Sequence, residues 1–388
     1  MRIAYIGPFG FHPNKTMRAR AFRIARELVV RGHEVKMFMP PWHTPDESNK
    51  EWVEEGVTIR YVPLGGGVLG ISRRLAREAL GFEPEIVHCF KPKGYSGLAA
   101  FLLWQTQREK LRLIMDTDDW EGAGGWNDRA PYTAMQKRFF AWQEIWGMRH
   151  CHALTVASRA LQGLAWGHGV KQGRVVYLPN GSGIDWVSDR AVGRQEYGLG
   201  DRPVLLLYSR LFEFDTARLV AVLQKVVAEI PDLTILFIGA GLFSDEAANY
   251  RQQLSDAGLL ERVVDTGWLD EEYVPNAIAA ADVGLYLMED NLLNRTKCPV
   301  KLADMVKCGL PLVGERVGEV SEYIRHEETG FFYETGNIDG VSQGIIRLLQ
   351  QPELRQKFSE TAIVHYNRNF NWAHAGALAE DVYLRPAH

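Results

Sequence analysis

A dozen short aliphatic runs, each trailed by a helical period, constrain this chain more than any other feature. They span Arg2–Ile6, Glu34–Met39, Val57–Val62, Glu85–Cys89, Leu111–Met115, Ala153–Val156 and Val175–Leu178. Five more follow: Val204–Tyr208, Leu233–Ile238, Val263–Thr266, Val283–Met288 and Leu310–Val313. Most are rich in Val, Ile and Leu without strict alternation, as strands buried on both faces are. Helical periods such as Met17–Arg31, Ala217–Ile230 and Glu271–Ala281 fill the gaps. The pattern predicts an α/β chain of parallel sheets covered by helices and joined by right-handed crossovers.

So many strands overfill one doubly wound sheet, and 388 residues suffice for two domains. Turn formers crowd Pro179–Asp185, and a polar stretch runs on to Pro203. This predicts a Rossmann-like domain over 1–185, a second over 186–370, and a closing segment, 371–388. The helix Trp372–Tyr383 of that segment is expected to pack back on the first domain. Two facing sheets of this kind put their strand carboxyl ends at a shared cleft, where ligands bind.

Four scattered cysteines, with no C-x-x-C, argue against a zinc site or a disulfide framework and fit a reducing compartment. No apolar run approaches the roughly 20 residues of a membrane span. The opening Met-Arg-Ile-Ala-Tyr-Ile-Gly reads as a buried strand and not as a signal peptide, so a cytoplasmic protein is expected. Up to Asn180 there are 25 Lys and Arg against 17 Asp and Glu; the rest has 19 against 31. Arg18, Arg20, Arg23 and Arg26 crowd one helix, and Arg73, Arg74 and Arg77 another. A solvated helix face is the preferred reading; attraction to an anionic acceptor or to the inner face of a membrane is the other. Trp142 and Trp146, spaced i,i+4, read as core. No nucleic-acid partner is expected.

Several strand ends carry chemistry. Gly7-Pro-Phe-Gly10 lets a backbone come close to a ligand but is not a dinucleotide fingerprint. His88 ends the fourth run, ahead of Lys91-Pro-Lys93-Gly94. Asp116, Asp118 and Asp119 follow the fifth; clustered carboxylates suit sugar hydroxyls better than a metal here. Arg210 follows the first strand of the second domain, and Gly239 and Gly241 follow the next. The segment Asn294–Asp304 packs Arg295, Lys297 and Lys301 around a helix start, with Asp304 one turn on. It reads as a pyrophosphate cradle with a ribose acceptor, or as a solvated basic loop.

In order and spacing these pieces resemble the family 4 glycosyltransferases of the GT-B fold. The resemblance is carried by Arg31-Gly32-His33-Glu34-Val35, Ile86-Val87-His88, Leu178-Pro179-Asn180-Gly181, Ser209-Arg210-Leu211, Ile238-Gly239-Ala240-Gly241 and Gly309-Leu310-Pro311-Leu312-Val313 with Gly318 and Glu322. It implies retaining transfer of a sugar from a UDP- or GDP-sugar to a hydroxyl of a glycan, a lipid-linked acceptor or a small molecule, without an obligatory metal. The second domain would take the donor and the first the acceptor. Arg210 and Lys301 would stabilise the leaving diphosphate, while His88 and Asp118 orient hydroxyls and Asp116 and Asp119 hold acceptor or sugar. Gly10, Gly239, Gly241, Asp290, Arg295, Thr296, Lys297 and Asp304 would line the nucleotide-sugar site. Two positions depart from the family: Asp215 stands where its second phosphate-binding cation should be, and Thr296 where a sugar-contacting Glu should be. Those departures keep open a catalytically weak binding or scaffold protein; a GT-B phosphorylase or epimerase is the other alternative.

Overall fold

A computed structural model describes residues 1–13, 16–239, 241 and 244–385. It divides the chain into two compact units. The first comprises Met1–Asn180, Arg295–Cys298 and the segment from Trp372 onward; the second comprises Gly181–Asn294 and Pro299–Asn371. The chain leaves the first unit inside the turn-rich stretch. It also returns to it at Arg295–Cys298, a segment expected in the second domain.

The first unit is built on eight strands: β1 (Arg2–Ile6), β2 (Glu34–Met39), β3 (Glu51–Glu54), β4 (Val57–Tyr61), β5 (Ile86–Phe90), β6 (Arg112–Thr117), β7 (Ala153–Val156) and β8 (Val175–Tyr177). Their order is β3-β4-β2-β1-β5-β6-β7-β8, parallel except for the β3–β4 pair. β5 and β7 are buried at every residue, because helices cover both faces. β4 instead alternates buried and half-buried, as a strand near an edge does. The edge strand β3, Glu-Trp-Val-Glu, is too polar to announce itself in the sequence. It joins β4 through Glu55 and Gly56, both at positive φ, the geometry of a tight hairpin.

The helix expected over Met17–Arg31 begins as a π-turn, Met17–Phe22, and continues as an α-helix to Val30. The helix Trp372–Leu384 packs against it. A Cβ on Gly376 would stand 2.6 Å from Glu27 Cβ, so the two helices meet at a distance that only glycine allows. Trp372, Ala375, Ala379, Val382 and Tyr383 thereby join the core of the first unit.

The second unit has six parallel strands: β9 (Val204–Tyr208), β10 (Thr234–Ile238), β11 (Val263–Asp265), β12 (Val283–Tyr286), β13 (Leu312–Glu315) and β14 (Gly330–Tyr333). Their order is β11-β10-β9-β12-β13-β14. β14, Gly-Phe-Phe-Tyr, lacks the branched aliphatics that mark the others. The order reverses beside β9, the switch point at which open α/β sheets bind ligands beyond their carboxyl ends. No helix among the described residues is long and apolar enough to cross a membrane.

Candidate active site

In the second unit the carboxyl ends of β9 and β10 are pressed together. Ser209 N–H donates to the Ile238 carbonyl (3.2 Å), and a Cβ on Gly239, whose φ is +120°, would lie 2.2 Å from Ser209 O. Only glycine fits there, so Gly239 shapes the edge. Gly241 is half-buried beside it; Ala240 between them lies outside the described residues. Arg210 follows, about one-third exposed, with its guanidinium 3.6 Å from Glu213 and over the Phe212 ring. Lys301, from the helix Val300–Lys307, brings Nζ to 4.6 Å from the Tyr208 ring and 5.7 Å from the Trp268 ring. Trp268 is 61% exposed and follows Gly267, whose carbonyl accepts from Gly239 N–H. Tyr208, Ser209, Glu213, Tyr286 and Lys301 line a small, narrow cleft. Burial, and then the Asp304 carboxylate, push the Tyr208 phenol upward, so it stays a neutral donor.

One of the two acids expected around this edge is placed otherwise. Asp304 is buried, and its Oδ1 accepts from Ser182 Oγ and from Gly183 N–H, both at 2.7 Å. It pins the start of the unit's chain to a helix, a structural task in place of the ribose contact. Asp290 is exposed. Asp215 explains its departure from the family pattern: it caps the helix Thr216–Glu229, accepting from Ala217 N–H at 3.0 Å. Arg218, in the first turn of that helix, is committed to Glu289 (2.8 Å) and Glu315 (3.0 Å).

The first unit corrects five more expectations. His88 is fully buried, with Nδ1 2.6 Å from Tyr383 Oη and Nε2 3.1 Å from Thr155 Oγ1. Both nitrogens are spent, so it cannot orient substrate hydroxyls. Asp116 is gripped by Arg20 through Nε–Oδ1 (2.8 Å) and Nη2–Oδ2 (2.7 Å), and Thr155 donates to Oδ2 at 2.6 Å. It too is structural, and Arg20, at 2% exposure, is no solvated helix residue. Thr296 is fully buried and out of reach of a ligand. A Cβ on Gly10 would lie 2.9 Å from the Tyr61 ring, so that glycine serves packing.

Asp118 and Asp119 sit in an ionic cluster. Lys91 Nζ lies 3.5 Å from each and 3.0 Å from Glu121, which also pairs with Lys93 at 2.5 Å. Burial alone would strip the Lys91 charge, but Asp118, Glu121 and Asp119 hold its pKa well above the usual value. Burial lifts Asp119 more than Lys91 lowers it, and burial with the Glu121 charge raises Glu144 well above the carboxylate range. Lys297 belongs here: its Nζ is 5.4 Å over the Trp126 ring, and its charge is felt by Asp119. Arg295 is exposed. The three cations of one short segment are thus divided, Arg295 and Lys297 with the first unit and Lys301 with the second. No group of three or more His, Cys, Asp or Glu among the described residues could hold a metal.

His88 yields a pH prediction. Burial, and then the Arg20 charge, hold its pKa well below 6.5, whereas in the unfolded chain it takes a proton below about 6.5. The unfolded state then binds more protons, so stability falls as pH drops below about 6.5, by up to about 1.4 kcal/mol per pH unit from this group. Denaturant titrations across pH 5–7 will show that slope reduced in His88→Gln; equal slopes in the two proteins would refute it.

Tyr208 and Trp268, flanking Lys301, were not anticipated as site residues. Trp268 was legible, because it stands just beyond the run Val263–Thr266, at the carboxyl edge.

Residues 15–181 match the family described as glycosyl transferase 4-like domain, and residues 189–365 the family described as glycosyl transferases group 1. The chain is 30% identical over 172 residues to N-acetyl-alpha-D-glucosaminyl L-malate synthase of Bacillus anthracis, covering 44% of this chain and 42% of that protein. It is 28% identical over 197 residues to a GDP-mannose-dependent alpha-(1-6)-phosphatidylinositol monomannoside mannosyltransferase of Mycolicibacterium smegmatis, covering 49% and 50%. The chain thus spans about half the length of these curated relatives or less. Among solved structures, sucrose-phosphate synthase of Thermosynechococcus elongatus superposes with a TM-score of 0.73 over 98% of both chains at 18% identity. HepE of Anabaena, solved in complex with UDP, does so with 0.72 over 98% and 99% at 15% identity.

Proposed function

This chain belongs to the GT-B glycosyltransferases of the family 4 type, and from that premise we propose that it moves a sugar from a nucleotide-diphosphate sugar to a hydroxyl of a glycan or lipid-linked acceptor. The observation that carries the reading is the cation-and-aromatic edge of the second unit. There Lys301 lies between Tyr208 and Trp268, with Arg210 on the same strand end as Tyr208. Such an edge suits a nucleoside diphosphate: the cations meet the phosphates, and an exposed indole gives a base a face to stack on. The relative dependent on GDP-mannose and the neighbour solved with UDP are consistent with a donor of this class. The first unit takes the acceptor, with Asp118 and Asp119 as hydroxyl acceptors in its ionic cluster.

The acceptor oxygen attacks the anomeric carbon on the face that the diphosphate leaves. As the new C–O bond forms, the bond from that carbon to the phosphate oxygen breaks, and the acceptor's proton passes to the departing phosphate. Arg210 and Lys301 stabilise the charge that develops there, which is electrostatic preorganisation. Anomeric configuration is retained, and NMR of the product's anomeric coupling tests that.

Thermal-shift titration with UDP, GDP and ADP, and then with their sugars, tests the donor. Trp268→Ala is expected to weaken the preferred nucleotide by about 1–3 kcal/mol, the worth of one stacked base. Release of free nucleotide only when acceptor is supplied marks transfer. The buried Thr296, at a position where the resemblance calls for a sugar-contacting Glu, favours a second reading, a scaffold protein that keeps the fold and has lost donor chemistry. Failure of every nucleotide to bind would support it and sink the transferase.

A further inference from the structure

β4, β5, β6 and β7 step in one direction across the first sheet. Right-handed crossovers therefore put the connecting helices Gly67–Gly81, Tyr95–Gln107 and Ala134–Arg149 on one face, packed in that order. The last of these exposes an unusual stripe. Met135 (81% exposed), Arg138, Phe139, Trp142 (45%), Trp146 and Arg149 recur at helical spacing and point outward or are half-buried. Trp142 is thus not the core residue its spacing suggested. Its ring sits 6.2 Å from Trp146 and 6.2 Å from Phe101 of the middle helix, so the aromatics form one continuous ledge.

The charges on this face are one-sided. The three helices carry six Lys and Arg and two Glu. Neither Glu reaches the surface as a free charge: Glu78 is bound to Arg60 at 2.9 Å, and Glu144 is buried. The middle helix carries no charge at all. Beyond it the first helix exposes Leu69 (59%), Arg73 and Arg77 along one line.

We propose that this face docks on an anionic phospholipid bilayer. Indoles between arginines, with no acid exposed on the same helices, match a headgroup layer: aromatic bodies enter the acyl boundary while guanidinium groups meet lipid phosphates. The proposal deepens the lipid-linked acceptor reading and rests on it only for its purpose, bringing the first unit to its substrate.

Co-sedimentation of the full chain with vesicles tests it, using phosphatidylcholine alone or mixed with phosphatidylglycerol. Binding is expected only to the mixed vesicles, released by salt and accompanied by a blue shift of tryptophan emission. Arg138→Gln and Arg73→Gln should each weaken partition by about fivefold. Trp142→Glu should weaken it further, with circular dichroism unchanged. No partition, equal partition to neutral vesicles, or variants that bind like the native chain would overturn the proposal. So would a dimer in sedimentation equilibrium that Trp142→Glu converts to monomer. A nucleotide thermal shift on the same samples separates the two readings. Nucleotide binding without vesicle binding sinks the ledge alone; vesicle binding without nucleotide binding sinks the donor site alone.

Discussion

Arg20→Ala will cost the first unit about 3–5 kcal/mol, the loss expected when one partner of a buried ion pair is removed and the other stays. Arg20 and Asp116 are 2% and 1% exposed, and the guanidinium also donates to Asn180 Oδ1 at 2.8 Å. Without it the Asp116 carboxylate sits in the core with no counter-charge. A relay magnifies the effect. Thr155 gives its one hydroxyl proton to Asp116, so its oxygen must accept from His88 Nε2–H. His88 Nδ1 then accepts from Tyr383 O–H, and Tyr383 accepts from Tyr5 O–H at 2.9 Å. Every donor along this line points toward the one carboxylate, and the line ends on the closing helix. Urea unfolding read by tryptophan fluorescence reports mainly the first unit, which holds nine of the eleven Trp. Arg20→Met with Asp116→Leu should lose less than Arg20→Ala, because no charge is left stranded. A loss below about 1 kcal/mol in Arg20→Ala would contradict the account.

That relay shows where sequence reading stops. Strands such as β5 and β10 were legible because burial on both faces leaves a run of five residues that is apolar but for His88 in the one and Thr234 in the other. The edge strand β3 was not, because one exposed face and two glutamates erase the run. Partnerships were harder still. Arg20 finds Asp116 across 96 positions and His88 finds Tyr383 across 295, and no local period encodes such pairs. Four arginines on one helix therefore read as a solvated face, although Arg20 and Arg23 are buried. Asp215 erred the other way. An Asp just ahead of a helical period is an ordinary N-cap, and matching it to a family's cation made it look like a deficit. The edge proposed for the donor was half legible: Arg210 and Gly239 follow from strand ends, and Lys301 from a helix start. The division of Lys297 from Lys301 does not, because four residues of chain cross between units without a change in composition.

The donor site can be tested on that division. Arg210→Ala with Lys301→Ala is expected to weaken UDP or GDP binding more than a hundredfold, since each charged contact contributes about 1.5–3 kcal/mol. Lys301 Nζ lies over the Tyr208 ring at the carboxyl end of β9, where the desolvated aromatic wall strengthens its pull on a phosphate. Arg210 stands 3.6 Å from Glu213, a loose pair that a diphosphate can replace with a closer one. Lys297 has its own company in Trp126 and Asp119, so Lys297→Ala should change nucleotide affinity less than Lys301→Ala does. Calorimetry on the three variants ranks the cations directly. If Lys297→Ala proves the more damaging single change, the phosphate contact belongs to the segment Arg295–Cys298 of the first unit, and the role given to Lys301 falls.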